Sequence, residues 1–396
     1  MADDSPTAEN GVPGLRCPAC HRTYEATPEE PWRCRCGGPL EIDADPDLPS
    51  TPPAGLDRDR GLWAFARWLP VSPRVTLGEG WTPMVDAPGF DCAFKLEYVF
   101  PSGSFKDRGA TAALSRAAGL GVDRVLEDSS GNAGAAMALY AARAGVDARI
   151  FVPVDAKPAK VSAIDRTGAE VVRVEGDRQA VTDACIEAVE GAEPRSAETT
   201  SGQRPRGQGG DGWYASHAHN PAFYAGTSTF AFEVAAQRDW TAPDALVLPV
   251  GHGTLLLGAF RGFRAMCEAG LIDREPRLLT VQAAGVAPVA EAVGGDAASG
   301  ERDGPDGRND LADGIQISTP ARRDEVLRAV RETDGDAIAV GESATREALD
   351  RLRRAGFGVE PTSAAAAAGL DAYRELGVLD GDDVVVPLTG SGLKDI

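Results

Sequence analysis

The chain has 396 residues, 43% of them apolar, enough to bury about two or three domain cores but with no run long enough to span a membrane as a helix. The formal charge is −20, with 60 acidic residues against 40 Lys and Arg, which argues against nucleic acid as a partner because phosphate neutralisation needs clustered cations. The acid is spread along the whole chain and Lys is scarce beside Arg, a pattern expected of a protein adapted to high salt, where self-repulsion is screened. The first residues, MADDSPTAEN, lack the apolar stretch of a secretory signal, so a cytoplasmic location is expected.

In chain order, residues 1–14 read as a polar, disordered tail. Residues 15–42 hold four of the seven cysteines, and 43–60 is a linker rich in Pro and Asp. Beyond 61, short apolar runs alternate with Ala-rich helical segments. Strands are expected at 92–98, 125–128, 148–152, 170–174, 245–250, 278–283 and 383–388. Helices are expected at 105–119, 131–144, 178–190, 253–269, 343–354 and 363–376. This alternation indicates an α/β fold with parallel sheets. Two Gly-rich polar stretches, 191–212 and 293–310, read as mobile surface insertions.

The clustered cysteines run Cys17-x2-Cys20 and Cys34-x-Cys36, thirteen residues apart, with Gly37 and Gly38 to permit a turn. Four thiolates suit a tetrahedral structural zinc, and unmetallated thiols are the alternative. Cys92, Cys185 and Cys267 are scattered and read as core thiols.

Four further segments place small residues where a strand meets a helix or a turn. In PSGSFKDRGA, 101–110, Lys106 sits at the first turn of a helix beside other cations, where an amine loses proton affinity and can act as a nucleophile. The same residues also suit a solvated lysine on a helix capped by Ser104. In SSGNAG, 129–134, exposed N–H groups at a helix start can hold an anion, or the segment is a tightly packed capped helix. VGHGTLLL, 250–257, has the form of a phosphate cradle, or of an ordinary glycine turn. LTGSGLKD, 388–395, is a Gly-rich turn directly after the final strand.

In their order and spacing these segments resemble the fold-type II pyridoxal-phosphate (PLP) enzymes, and GSFKDRG, 103–109, resembles the lysine motif of the threonine synthase family. The resemblance implies a tryptophan synthase β-like fold: two three-layer α/β/α subdomains with parallel sheets, preceded by a small zinc-ribbon-like segment. The catalytic part would be 61–396, with a smaller subdomain over about 111–212 and a larger one from 61–110 and 213–396. Lys106 would be the Schiff-base lysine. Asn132 would bond the cofactor's phenolic oxygen, and Gly251, His252, Gly253, Thr254 and Leu255 would grip its phosphate. Thr389 would face the ring nitrogen. Ser129, Ser130, Gly131 and Ala133 would hold the carboxylate of an amino-acid substrate. Cys17, Cys20, Cys34 and Cys36 match the ribbon found in some archaeal and bacterial threonine synthases. The implied reaction turns O-phosphohomoserine and water into threonine and phosphate, and the implied assembly is a homodimer.

One stretch departs from the family. Where many threonine synthases read Asn-Pro-x-Arg-x-x-Gly-Gln-Lys-Thr, this chain reads NPAFYAGTST at 220–229, with Phe223 in the arginine place and Ser228 in the lysine place. Losing a bidentate cation weakens phosphate recognition unless Arg108 or Lys160 substitutes. His217 and His219, just upstream, either contact substrate or are surface turn residues. The segment LADGIQI, 311–317, resembles serine/threonine dehydratases. The competing readings are therefore another PLP lyase or β-replacement enzyme, a dehydratase or one similar to cysteate synthase, and, at the far end, a non-catalytic zinc-ribbon interaction protein.

Overall fold

A computed structural model describes residues 11–191, 197–199, 210–294 and 307–395. The chain divides into two compact units, residues 1–47, 63–79 and 106–226 in the first, and 48–62, 80–105 and 227–396 in the second.

The first unit carries two sheets. A small antiparallel sheet joins β1 (Leu15–Arg16), β2 (Thr23–Tyr24) and β3 (Glu41–Ile42) in the order β2-β1-β3. The larger one is built from β6 (Arg124–Glu127), β7 (Asp147–Pro153), β8 (Glu170–Val174), β9 (Ala197–Thr199) and β10 (Trp213–Tyr214), in the order β10-β6-β7-β8-β9. All its pairings are parallel except β8 with β9. Strand residues point alternately to the two faces, and both faces are covered. Val125, Ile150, Val152 and Val171 pack with α1 (Lys106–Leu120) and α2 (Asn132–Ala144). Leu126, Phe151, Val172 and Val174 pack with Val181, Ala184, Cys185 and Ala188 of α4 (Arg178–Val189). The eight-residue α3 (Pro158–Asp165) lies in the β7–β8 crossover.

The second unit holds a six-stranded sheet. Its strands are β4 (Met84–Ala87), β5 (Cys92–Lys95), β11 (Ala245–Pro249), β12 (Arg277–Ala283), β13 (Asp336–Val340) and β14 (Val384–Pro387). They lie in the order β13-β12-β11-β14-β5-β4. Only the edge strand β4 is antiparallel. Val247, Leu279, Val281, Ile338 and Val386 form one core face with the Ala-rich helix Pro361–Glu375. Leu246, Leu248 and Leu278, pointing the other way, are equally buried.

Several boundaries differ from the sequence reading. Residues 11–14 are no tail: Val12 is buried, and the Pro13 carbonyl accepts from Arg116 Nη1 at 3.0 Å. The rest of that tail lies outside the described residues. The linker ends earlier, because Arg58–Trp68 forms a 3₁₀-helical stretch that buries Trp63 and Phe65. The strand at 92–98 stops at Lys95, whose ammonium is buried on Glu233 and the Thr82 carbonyl. Of the two expected insertions, 197–199 is the edge strand β9, and Asn309 is fully buried, donating to the Val340 carbonyl at 3.0 Å. Within the two stretches, residues 192–196, 200–209 and 295–306 lie outside the described residues. The smaller unit is larger than 111–212. It takes in α1 from its first residue, because α1 packs on α2, and residues 213–226, because β10 pairs with β6.

The sequence reading also overlooked α5 (Pro221–Gln237). Its apolar residues show no helical stripe because the helix is buried all round, Phe223, Tyr224, Phe230, Ala231 and Val234 all being fully enclosed. Pro221 stands at its first position, where a missing N–H costs nothing.

Candidate active site

Each unit gathers its chemistry-bearing turns at the C-terminal ends of neighbouring parallel strands, the place where open α/β sheets bind ligands. In the first unit, residues 129–134 follow β6 and residues 215–220 follow its neighbour β10. In the second, residues 250–255 follow β11 and residues 388–391 follow its neighbour β14.

Lys106 opens α1. It is half-buried and followed by the fully buried Asp107 and Arg108, which is no setting for a solvated surface lysine. The first turn of α1 is pinned by Tyr140, whose hydroxyl lies 3.3 Å from Asp107 Oδ2 and 3.1 Å from Glu79 Oε2. Gly109, one turn on, is packed by Phe223: a Cβ there would fall 2.3 Å from the ring. Phe223 is fully buried, so the position that carries an arginine in many threonine synthases is here part of the core. Arg108 is likewise fully buried, Ser228 is buried within α5, and Lys160 is half-buried on α3.

The 129–134 turn is built for close approach. A Cβ on Gly134 would lie 1.8 Å from the Ser129 carbonyl oxygen, so only glycine permits the fold-back. The Gly131 N–H donates to Ser129 Oγ at 3.2 Å. Helix α2 begins after Gly131 with no side-chain cap hydrogen bond, a helix start whose backbone N–H groups suit an anion. Ser130, Gly131 and Asn132 are half-buried; Ser129 and Ala133 are buried.

Beneath this turn lie three groups that sequence reasoning missed or misplaced. Glu127, fully buried at the end of β6, sets Oε1 at 2.6 Å from His217 Nδ1 and accepts the His217 backbone N–H on Oε2 at 3.1 Å. Asp128 accepts from Thr182 Oγ1 at 2.6 Å and from the Tyr214 hydroxyl at 3.0 Å. Burial, followed by the adjacent Asp128, pushes the Glu127 carboxyl well above its ordinary value. Burial, followed by the charge of Lys106, pushes His217 down to about 3. Burial also opposes ionisation of Asp128, but His217, Thr182 and Arg178 outweigh it and hold the carboxyl below its usual range. His217 is therefore no surface turn residue. His219 is half-buried and stacks edge-on with Trp32 at 5.0 Å.

In the second unit, Gly253 adopts φ +80° and opens α6 (Thr254–Glu268), again without a side-chain cap. Gly251 lies against residues 311–317: its Cβ would stand 3.2 Å from the Gly314 carbonyl oxygen and 3.0 Å from Ile317. His252 is half-buried, and its Nδ1 accepts from the Ala321 N–H at 3.3 Å. Thr254 and Leu255 are buried, and the Thr254 carbonyl accepts from Thr227 Oγ1 at 3.1 Å. Thr389 is buried with its hydroxyl 3.3 Å from Ser363 Oγ, a contact that the sequence reading did not foresee. The Phe105 N–H donates to the Thr389 carbonyl at 3.1 Å, and Ser391 N–H donates to the Gly103 carbonyl at 2.9 Å. The residues that lead into Lys106 are thus hydrogen-bonded to the Thr389 turn.

The cysteine cluster is assembled by two tight turns. In one, His21 at φ 59° donates to the Cys17 carbonyl; in the other, Gly37 at φ 87° donates to that of Cys34. The four sulfurs all lie within 4.8 Å of one another, Cys17 to Cys36 at 3.6 Å and Cys20 to Cys34 at 3.4 Å. Zn–S bonds of about 2.3 Å require sulfurs spaced at about 3.8 Å, so the donor set fits a tetrahedral metal. A backbone hydrogen bond from Cys36, then the Tyr24 hydroxyl, hold Cys34 down to about 6. The segment is bolted to α1: Glu30 receives Arg116 through Nε at 2.8 Å and Nη2 at 2.5 Å, and Trp213 Nε1 at 3.3 Å.

A family model described as pyridoxal-phosphate dependent enzyme matches residues 75–390. The chain belongs to this family. It is a PLP-dependent enzyme of fold-type II, and the uncapped turns at 129–134 and 250–255 fit an anionic ligand and cofactor. A threonine synthase of Methanocaldococcus jannaschii is 32% identical, over 96% of this chain and 92% of that one. One of Synechocystis sp. is 36% identical over 88% and 86% respectively. Among solved structures, a fungal L-serine ammonia-lyase from Rhizomucor miehei superposes with TM-score 0.62 at 22% identity, covering 78% of this PLP enzyme and 93% of that chain. A threonine deaminase from tomato, Solanum lycopersicum, gives 0.59 at 20% identity, covering 78% and 83%.

Proposed function

We infer that this PLP enzyme is a threonine synthase, converting O-phosphohomoserine and water to threonine and phosphate. The observation that carries the inference is the likeness to threonine synthases over nearly the whole chain, together with the GSFKDRG segment at the head of α1.

Bound PLP supplies an aldehyde and an electron-withdrawing ring that acidify hydrogens on carbons near the substrate's amino group. In our reading Lys106 would bind that aldehyde, and its amine would carry protons at the substrate's Cα and Cβ. The N–H groups of residues 129–133 hold the substrate carboxylate, and Asn132 orients the cofactor's phenolic oxygen. The N–H groups of residues 251–255, with the α6 dipole, hold the cofactor's phosphate. Thr389, kept in place by Ser363, offers a hydroxyl to the ring nitrogen. A hydroxyl there, unlike a carboxylate, does not enforce protonation of the nitrogen. The ribbon would hold one structural zinc, and we place the enzyme in the cytoplasm as a homodimer.

A second reading, serine/threonine dehydratase, is favoured by the buried Phe223 and Ser228 in place of cations, and by residues 311–317 packed on Gly251. A coupled assay on purified protein separates the two. Threonine synthase releases phosphate and threonine from O-phosphohomoserine. Release of a 2-oxoacid from threonine or serine, with no phosphate from O-phosphohomoserine, contradicts our reading.

A further inference from the structure

We propose that Glu127 and His217 are positioning residues for Lys106: a buried pair that shares one proton, anchors the 129–134 turn and governs how readily the Lys106 nitrogen gives up its proton. This rests on Lys106 being the cofactor-bearing residue, and it goes beyond that reading because neither Glu127 nor His217 has a part in the chemistry described so far.

Geometry is the first support. The carboxylate is the last residue of β6, two residues before Ser129, and both its oxygens are spent on one partner, the ring at 2.6 Å and the backbone N–H at 3.1 Å. This clamps the loop after β6 to the loop after β10 within one unit. His217 is 4% exposed and Glu127 not at all, so the pair has been taken out of water, where an ionised carboxylate is costly. His217 also packs edge-on against Phe223 at 6.1 Å, and Phe223 lies on Gly109, one turn beyond Lys106. A purely structural clamp would be served by an amide and a hydroxyl. An acid set on an imidazole carries a proton that can leave.

The charged groups around the pair are Lys106 from α1, Asp128 from the same turn, and Arg178 from the start of α4, with Tyr214 and Cys185 close by. The Asp128 carboxyl is held below its usual range, and burial pushes Tyr214 and Cys185 well above theirs. The ionisations that our proposal couples are those of the pair and of Lys106. With its proton the pair is neutral overall. When the proton leaves to solvent, the pair becomes an anion and strengthens the hold of Lys106 on its own proton. The two ionisations are then coupled, and their midpoints belong to the set rather than to one residue.

The test uses the PLP-loaded full chain, whose visible absorbance reports protonation at the Lys106 nitrogen as pH is raised. Glu127→Gln keeps both hydrogen bonds to His217 and deletes the ionisation. The wild type is expected to titrate over two coupled steps, and the variant in a single step with its midpoint about one pH unit lower, the size of shift one nearby charge produces. Superimposable curves overturn the proposal. If the variant does not fold, ¹⁵N spectra of the four histidines in the wild-type chain decide. Recorded over the same pH range as the absorbance, a His217 ring signal that shifts together with the Lys106 transition supports the proposal, and a ring signal that stays constant through it overturns it. A wild-type protein that takes up PLP on another lysine overturns the assignment of Lys106 and this proposal together.

Discussion

At the scale of single residues, the buried pair has a signature in stability as well as chemistry. His217 is depressed to about 3 from 6.5, so the unfolded chain takes up a proton below 6.5 that the folded ring refuses. Its contribution is present above 6.5 and drains as pH falls toward 3. Glu127 is raised above 4.5, so its contribution is whole below 4.5 and is lost as pH rises through its folded value. Glu127→Gln removes the second effect. Urea unfolding midpoints measured as pH is raised from 4.5 should therefore lose less stability in the variant than in the wild type, and parallel curves would contradict the assignment. Gly134→Ala tests the turn itself. With the Ser129 carbonyl 1.8 Å from the added methyl, the variant should lose at least about 1–3 kcal/mol and its affinity for PLP. Small residues after an apolar run made that turn legible in the sequence. The pair beneath it was not: Glu127 and His217 are ninety residues apart, and nothing local marks a glutamate at the end of a strand or a histidine in a turn as partners.

At the scale of elements, the α/β alternation was readable because each strand is a short apolar run and most helices are Ala-rich. Helix α5 was hidden by its own burial, since a helix enclosed on all sides shows no stripe. The edge strands β4, β9 and β10 are two to four residues long, too short for a period to register. The cysteine segment was legible from spacing alone, but its dependence on α1 was not. Arg116 and Glu30 are 1% and 3% exposed, so removing one partner strands a buried charge. Glu30→Ala should cost about 3–5 kcal/mol by chemical denaturation. In protein loaded with zinc, as we propose for the four cysteines, it should also speed loss of the metal to a chelator. A variant with wild-type stability would show that the cysteine segment rests on the unit without being fastened to it.

At the scale of the whole molecule, a formal charge of −20 over 396 residues is a self-repulsion that salt screens. Thermal unfolding followed from dilute buffer to about 2 M KCl should show Tm rising with salt, most steeply where the screening length is still shrinking fast. A Tm highest in dilute buffer would reject adaptation to salt. The same charge means that an anionic ligand has to be drawn in locally against the field of the molecule, the task that our proposal gives to the helix N-termini at residues 129–134 and 250–255.

The nitrogen at position 106 decides the chemistry, and the most direct measurement is a chemical one. PLP-loaded protein is reduced with borohydride, digested, and the lysine carrying the cofactor identified by mass spectrometry. The account predicts a single modified peptide containing Lys106, absent from Lys106→Ala. Cofactor fixed to any other lysine, or an unmodified peptide around position 106, would contradict it.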